Sequence, residues 1–189
     1  LCSHCCASPH LIKNTSESLA GRVSFVHMHG FNLQEVAHLP GTFDKLWIRG
    51  TFPTSFLARS EEESYRWRLN FTESFLERDI PQLGIRIPAS ALRRFWTMTA
   101  HFHGQVWNAS DFASALGTKH DTARRYLDIL CGSYMVRQVQ PWFVNIGKRV
   151  VRSPKIYLRD SGIAHALLGL RNKLQVQMHP RLGFSWEGF

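Results

Sequence analysis

Residues 108–131, NASDFASALGTKHDTARRYLDILC, decide how the rest of the chain is read. They spell two short helices joined by a glycine turn, the helix-turn-helix arrangement. Asn108 or Ser110 can cap the first helix, because a short polar side chain there accepts a hydrogen bond from an otherwise unpaired backbone N–H. Phe112, Ala113 and Leu116 give that helix an apolar face. Gly117 can end it in a left-handed conformation without the strain a Cβ would add. Thr118 or Asp121 can then open the second helix. At helical spacing Ala123, Tyr126, Leu127 and Leu130 share one side of it, while Asp121, Arg124, Arg125 and Asp128 share the other. The small Ala113 and Ala123 allow the two helices to approach closely.

Working outward, IPASALRRFWTMTAHFHG predicts a supporting helix, with Pro88 near its start and Gly104 just past its end. Leu92, Phe95, Trp96 and Met98-Thr99 are its inward residues, and His101 and His103 complement the dipole at its C-terminus. On the other side, residues 134–142 and 149–158 read as strands. The basic turn between them carries Asn145, Gly147 and Lys148. Two strands and a basic loop directly after the second helix make a wing, and Pro154 restricts the second strand to an edge or a break. Asp160-Ser161-Gly162 then introduces a short helix.

Upstream, Glu61-Glu62-Glu63 opens the longest helical signal, since acids favour a helix N-terminus, with Tyr65, Leu69, Thr72 or Phe71, and Phe75-Leu76 on its inner face. Residues 31–39 predict a short helix with Leu33 and Val36 inward, broken by Pro40-Gly41. Residues 46–57 read as a loop leading into a helical turn. The expected fold class is mainly α with a small β part (α+β): a helical segment followed by a winged helix-turn-helix.

The 189 residues carry a net charge of +9, 44% hydrophobic and 12% aromatic content, which suits a folded chain with an anionic partner such as nucleic acid or a membrane surface, or equally a basic piece of a larger, better balanced protein. No apolar run is long enough to cross a bilayer and no membrane partner is expected. No basic-then-apolar leader opens the chain, and three of its four cysteines crowd into LCSHCC, which points to reduced thiols and a cytoplasmic location. Cys2, His4, Cys5 and Cys6 invite a zinc reading. A structural zinc site takes ligand pairs from two places, and no second pair follows, so no metal is expected. His27 and His29 likewise have no third ligand.

Several phrases then fall in one order: CASPHLIKNTSESLAGRV, RGTFPTSFL, FTESFLERDI, the helix-turn-helix, NIGKRVVRSPKIYLRDSGIAHALLGL and HPRLGFSWEGF. Together they resemble the C-terminal part of the prokaryotic AAA-type ATPases that carry a trailing domain of unknown function. The resemblance implies an ATP-binding core whose closing segment matches Ser8 and Leu19-Ala20-Gly21-Arg22, so that Ser8 and Arg22 are remnants of that core. The chain departs from the family at His4-Cys5-Cys6-Ala7, where relatives have a Thr-Gly-Ser-like run. The implied organisation is a core remnant over 1–40, a helical linker over 41–90, a winged-helix domain over 91–170, and over 171–189 the start of a nuclease-like domain opening at Trp186-Glu187.

A phosphate-binding loop needs glycine-rich backbone and a Lys followed by Ser or Thr, whereas Gly147-Lys148 is followed by Arg149. The chain itself is therefore expected to hold no cofactor. The resemblance implies a full-length parent that is an ATPase, with ATP and Mg2+ expected in a core, and a C-terminal domain, outside this chain. Phosphate contacts to double-stranded DNA are assigned to Lys119, Arg124, Arg125, Lys148 and Arg149, with Asp121 and Asp128 working against them. The alternative is a protein-interaction or oligomerisation module that binds no nucleic acid, and a homo-oligomer fits either reading.

Overall fold

A computed structural model describes residues 28–141 and 153–189. The described residues are mostly helical, with one small antiparallel sheet, so the α+β class holds.

The first helix, α1 (Leu33–Val36), is set by a capping box in which Asn32 accepts from the Glu35 N–H and Glu35 reaches back to Asn32. Val36 is buried against Leu46 and Phe56, but Leu33 faces solvent, contrary to the sequence expectation. Pro40-Gly41 does break the chain, and α2 (Thr42–Arg49) follows at once. The sequence pattern reads as a loop from residue 46 onward, over the second half of this helix. Its buried side includes Thr42, Trp47 and Arg49, so an apolar periodicity never shows. Gly50, at φ 82°, ends α2. The expected helical turn is α3 (Pro53–Phe56), with Pro in its first turn.

Helix α4 (Glu61–Ser74) starts at Ser60, whose hydroxyl accepts from the Glu63 N–H, and holds three glutamates in its first turn. Its inner side is Ser64, Tyr65, Arg68 and Thr72; Leu69 is exposed and Arg68 is wholly buried. The helix runs through a π-helical turn, Phe75–Asp79, into α5 (Ile80–Gln82), so Pro81 lies inside the last helical turn and the stop comes at Gly84.

Helix α6 (Ala89–His101) has Pro88 as its N-cap residue and buries Leu92, Phe95 and Trp96. A two-residue strand, β1 (Gln105–Val106), was not foreseen. Then come α7 (Ala109–Leu116), α8 (His120–Gly132), β2 (Val136–Val139) and β3 (Lys155–Leu158). The sheet order is β1-β3-β2. In its register Val136 faces Leu158 and Gln138 faces Ile156 on the inner side, while Arg137 faces Tyr157 and Val139 faces Lys155 on the outer side. On the other edge Val106 also faces Lys155. Pro154 lies just before β3, where a missing N–H costs no ladder bond.

Asp160 caps α9 (Ser161–Leu167) through a 2.7 Å bond from the Ile163 N–H. Two short helices close the described chain, α10 (Lys173–Met178) and α11 (Leu182–Glu187). Val176 of α10 is buried beside Trp47 and Ile48, whereas α11 buries no residue.

A continuous apolar core runs from Phe75, Leu76 and Ile80 through Leu92, Phe95 and Trp96 of α6 and Phe112 of α7. It continues through Ala123, Leu127 and Leu130 of α8 and the inner sheet residues to Ile163 and Ala164 of α9. Each fully buried Leu, Ile or Phe of this kind contributes about 1.5–3 kcal/mol of transfer free energy. This core crosses residue 90, so the helical segment and the helix-turn-helix segment share side-chain packing.

Candidate nucleic-acid interface

The surface of α8 is built by local rules. Asn108 is the N-cap of α7 and its side chain accepts from the Ser110 N–H at 2.9 Å. Gly117 adopts φ 62° and closes α7, and the Thr118 N–H returns to the Ala113 carbonyl at 2.9 Å. The N-cap of α8 is Lys119, in extended conformation and without a side-chain cap bond, rather than Thr118 or Asp121. Ala123, Leu127 and Leu130 turn inward as their spacing required; Ile129 joins them and Tyr126 is half-buried.

The outward residues include Lys119, Arg124 and Arg125, all exposed, with Asp121 and Asp128 exposed among them. Arg124 and Arg125 form no ion pair among the described residues, and Asp121 lies 3.7 Å from His120 Nδ1. The face thus offers three cations against two acids. Lys148, Arg149, Ser8 and Arg22 lie outside the described residues, as do Cys2, His4, Cys5, Cys6 and His27. Among the described residues no group of three or more His, Cys, Asp or Glu is placed to hold a metal.

Beside α8, the outer face of the sheet brings together residues that sequence reasoning missed. Arg137, Lys155 and Tyr157 point the same way, and Glu187 of α11 reaches them: its Oε1 accepts from Lys155 Nζ at 2.8 Å and from the Tyr157 hydroxyl at 2.5 Å. These two bonds hold the Glu187 carboxyl below the ordinary carboxylate range, and the Lys155 ammonium is raised by the same hydrogen bond. The alternation in KIYL was the available signal for the shared face, but the partner carboxylate is 30 residues away from Tyr157.

The scaffold under this surface is fixed by buried polar groups. Arg68 donates from Nη1 to the carbonyls of Ile48 at 3.0 Å and Gly162 at 2.9 Å, so one guanidinium joins α4, α2 and α9. Burial pulls its pKa down to about 10, against the raising effect of Asp160 and Glu61. Asp160 accepts from the Thr51 N–H at 2.6 Å and the Thr51 hydroxyl at 2.9 Å, while burial pushes its carboxyl upward. Arg49 pairs with Glu61 at 2.8 Å and donates to the carbonyls of Phe56 and Ala58.

Two histidines in this scaffold are buried. His165 meets Ser185 Oγ through Nε2 at 2.7 Å and the Ile48 carbonyl through Nδ1 at 3.3 Å, and Ser185 Oγ also accepts from Trp47 Nε1 at 3.0 Å. His103 accepts from the Leu158 N–H through Nδ1 at 3.0 Å, so it is not the dipole-complementing residue expected. Burial pushes both imidazoles down to about 4.

The class these observations define is a basic α+β domain, mostly helical, in which a helix-turn-helix and a three-stranded antiparallel sheet share one core. Residues 41–174 match the family described as a domain of unknown function, DUF8612, and the chain belongs to that family. It is similar to two curated proteins, each described as uncharacterized, from Mycobacterium bovis and Mycobacterium tuberculosis. Each is 52% identical over 183 residues, covering 97% of this chain. The chain spans 41% of the length of these relatives. No solved structure matches. Among the described residues no helix is long and apolar enough to cross a membrane.

Proposed function

We propose that residues 89–158 work as a winged helix whose α8 lies against the phosphate backbone of double-stranded DNA. The observation that carries this reading is the order α6-β1-α7-α8-β2-β3 with sheet order β1-β3-β2, which leaves Lys119, Arg124 and Arg125 exposed on the second helix of the pair. Lysines and arginines on such a face gain affinity by releasing counterions condensed on DNA. Asp121 and Asp128 oppose the same phosphates, so the contact is weak in sequence-independent terms and sensitive to salt. Lys148 and Arg149 would supply a second set of cations.

The test is a mobility-shift titration at several salt concentrations. The double variant Arg124→Ala, Arg125→Ala should weaken binding and flatten the slope of log K against log salt by about two, one for each phosphate contact removed. An unchanged slope would sink the assignment to α8. From the ordered resemblance we also propose that the module serves a larger ATP-dependent protein, in which ATP and Mg2+ bind outside this chain. Nucleotide hydrolysis by the purified chain alone would overturn that division of labour.

A second reading has an observation of its own. Phe43, Trp186 and Phe189 are exposed and mutually packed, with ring centroids 5.4 Å apart for Phe43–Trp186 and for Phe43–Phe189. An aromatic patch of this kind favours a protein-interaction or oligomerisation module. A concentration-dependent mass by light scattering, abolished by Trp186→Ser, together with no duplex shift, would favour this reading over the first.

A further inference from the structure

Helix α11 buries no residue of its own, and its Glu187 reaches the outer face of the sheet. Aromatic packing of Trp186 on Trp47, with ring centroids 5.1 Å apart, and bonds from Ser185 to His165 and Trp47 hold the body of the helix against α2 and α9, whereas Glu187 alone bonds to Lys155 and Tyr157. Exposed ion pairs contribute little to stability, so a role for Glu187 in holding the fold explains little of its placement. The geometry around it is more informative. One carboxylate oxygen sits between an ammonium at 2.8 Å and a phenol hydroxyl at 2.5 Å. That pair of donors is the kind that binds a non-bridging phosphate oxygen.

The strand register extends the site. Arg137 faces Tyr157 and is exposed, which adds a second cation to the strip. Val106 and Val139, both opposite Lys155, give it an apolar floor. A basic and aromatic strip of this sort, beside a helix already read as touching DNA, is complementary to a nucleic-acid backbone. The Glu187 carboxyl, held low by its two donors, remains an anion through the neutral range, as a competitor for those donors must.

We infer that Lys155 and Tyr157 form a phosphodiester subsite on the outer face of the sheet, occupied in cis by the Glu187 carboxylate. Nucleic acid gains this subsite only when α11 lifts, so α11 is an autoinhibitory strap. The choice of nucleic acid as the ligand rests on the reading of α8 given above.

The experiment compares the chain with its Glu187→Gln variant, by anisotropy of a labelled duplex over a salt series. The variant should bind about threefold to tenfold more tightly at low salt and steepen the salt slope by about one. Adding Lys155→Gln to it should return both quantities to those of the parent. Equal affinity and slope for the parent and the Glu187→Gln variant overturn the proposal. A second measurement does not depend on duplex binding: titration with inorganic phosphate, followed by the amide resonances of Lys155 and Tyr157. Those resonances should move in the Glu187→Gln variant and stay still in the parent. Resonances that stay still in both overturn the subsite even if α8 binds DNA. A phosphate response without any duplex binding keeps the anion subsite and overturns nucleic acid as its ligand.

Discussion

Two pairs of arginines divide the molecule. Arg49 and Arg68 are buried where α2, α4 and α9 meet, and between them they hold the carbonyls of Ile48, Phe56, Ala58 and Gly162. Arg124 and Arg125 stand on the open side of α8 with no ion pair among the described residues. All four lie on helices, and the sequence alone does not tell them apart. The difference teaches that the net charge of +9 is not all available to a partner, because some of it is spent inside as internal hydrogen-bond donors. Desolvating a guanidinium is costly, and only several accepting groups together make it tolerable.

Replacing Arg68 should give the largest effect. Arg68→Leu leaves Asp160 buried without its facing cation and two carbonyls without their donor, so stability should fall by about 3–5 kcal/mol in urea unfolding. A loss below about 1 kcal/mol would break the comparison, because Arg68 would then be no more structural than a surface residue.

Gly162→Ala tests the same junction without touching charge. A Cβ there would lie 2.2 Å from the Arg49 carbonyl oxygen, so α2 and α9 must separate, at a cost of about 1–3 kcal/mol by thermal or chemical unfolding.

Acid should also act on the buried side first. The folded-state pKa of His103 and of His165 is about 4 against an ordinary 6.5. Above pH 6.5 both states hold neutral imidazole and stability is at its plateau. Between 6.5 and about 4 only the unfolded state takes up protons, so stability falls as pH falls, by on the order of 3 kcal/mol for each histidine across the window. Asp160, with its carboxyl raised, works in the opposite sense. Denaturation midpoints measured across this range should drop with acid, and more shallowly in His165→Gln.

The smallest effect on stability should come from Arg124→Ala with Arg125→Ala, within about 0.5 kcal/mol of the parent protein. Its effect is expected in nucleic-acid binding alone, and a large loss of stability would erase the distinction between the two pairs.

The helix-turn-helix was legible because its signals are local. Asn108 caps, Gly117 turns left-handed, and Phe112, Ala123, Leu127 and Leu130 keep helical spacing. The junction was not legible because its signals are distant and disguised. Arg68 on α4 has the look of a solvated residue until Gly162, 94 positions later, supplies its acceptor. Helix α2 was hidden by the polar Thr42 and Arg49 on its buried side. Strand β1, two residues long, is too short for alternation to show. His103 drew attention only as a helix-end residue, since nothing in sequence links it to the Leu158 amide. At the candidate interface Lys119, Arg124 and Arg125 were visible as a basic helix face, whereas the grouping of Arg137, Lys155 and Tyr157 needed the strand register.

The capping of α9 has a consequence in time. Thr51 bonds to Asp160, 109 residues further along, and Ser161 donates to the Leu46 carbonyl across 115. During synthesis the early helices α2 to α4 are therefore made long before the element that completes them. Closing so long a loop must come before its contacts can stabilise anything, which makes this junction a late event in folding. Until α9 emerges, α2 exposes Trp47 and Ile48, and the nascent chain depends on its cellular surroundings to keep those side chains from finding other partners.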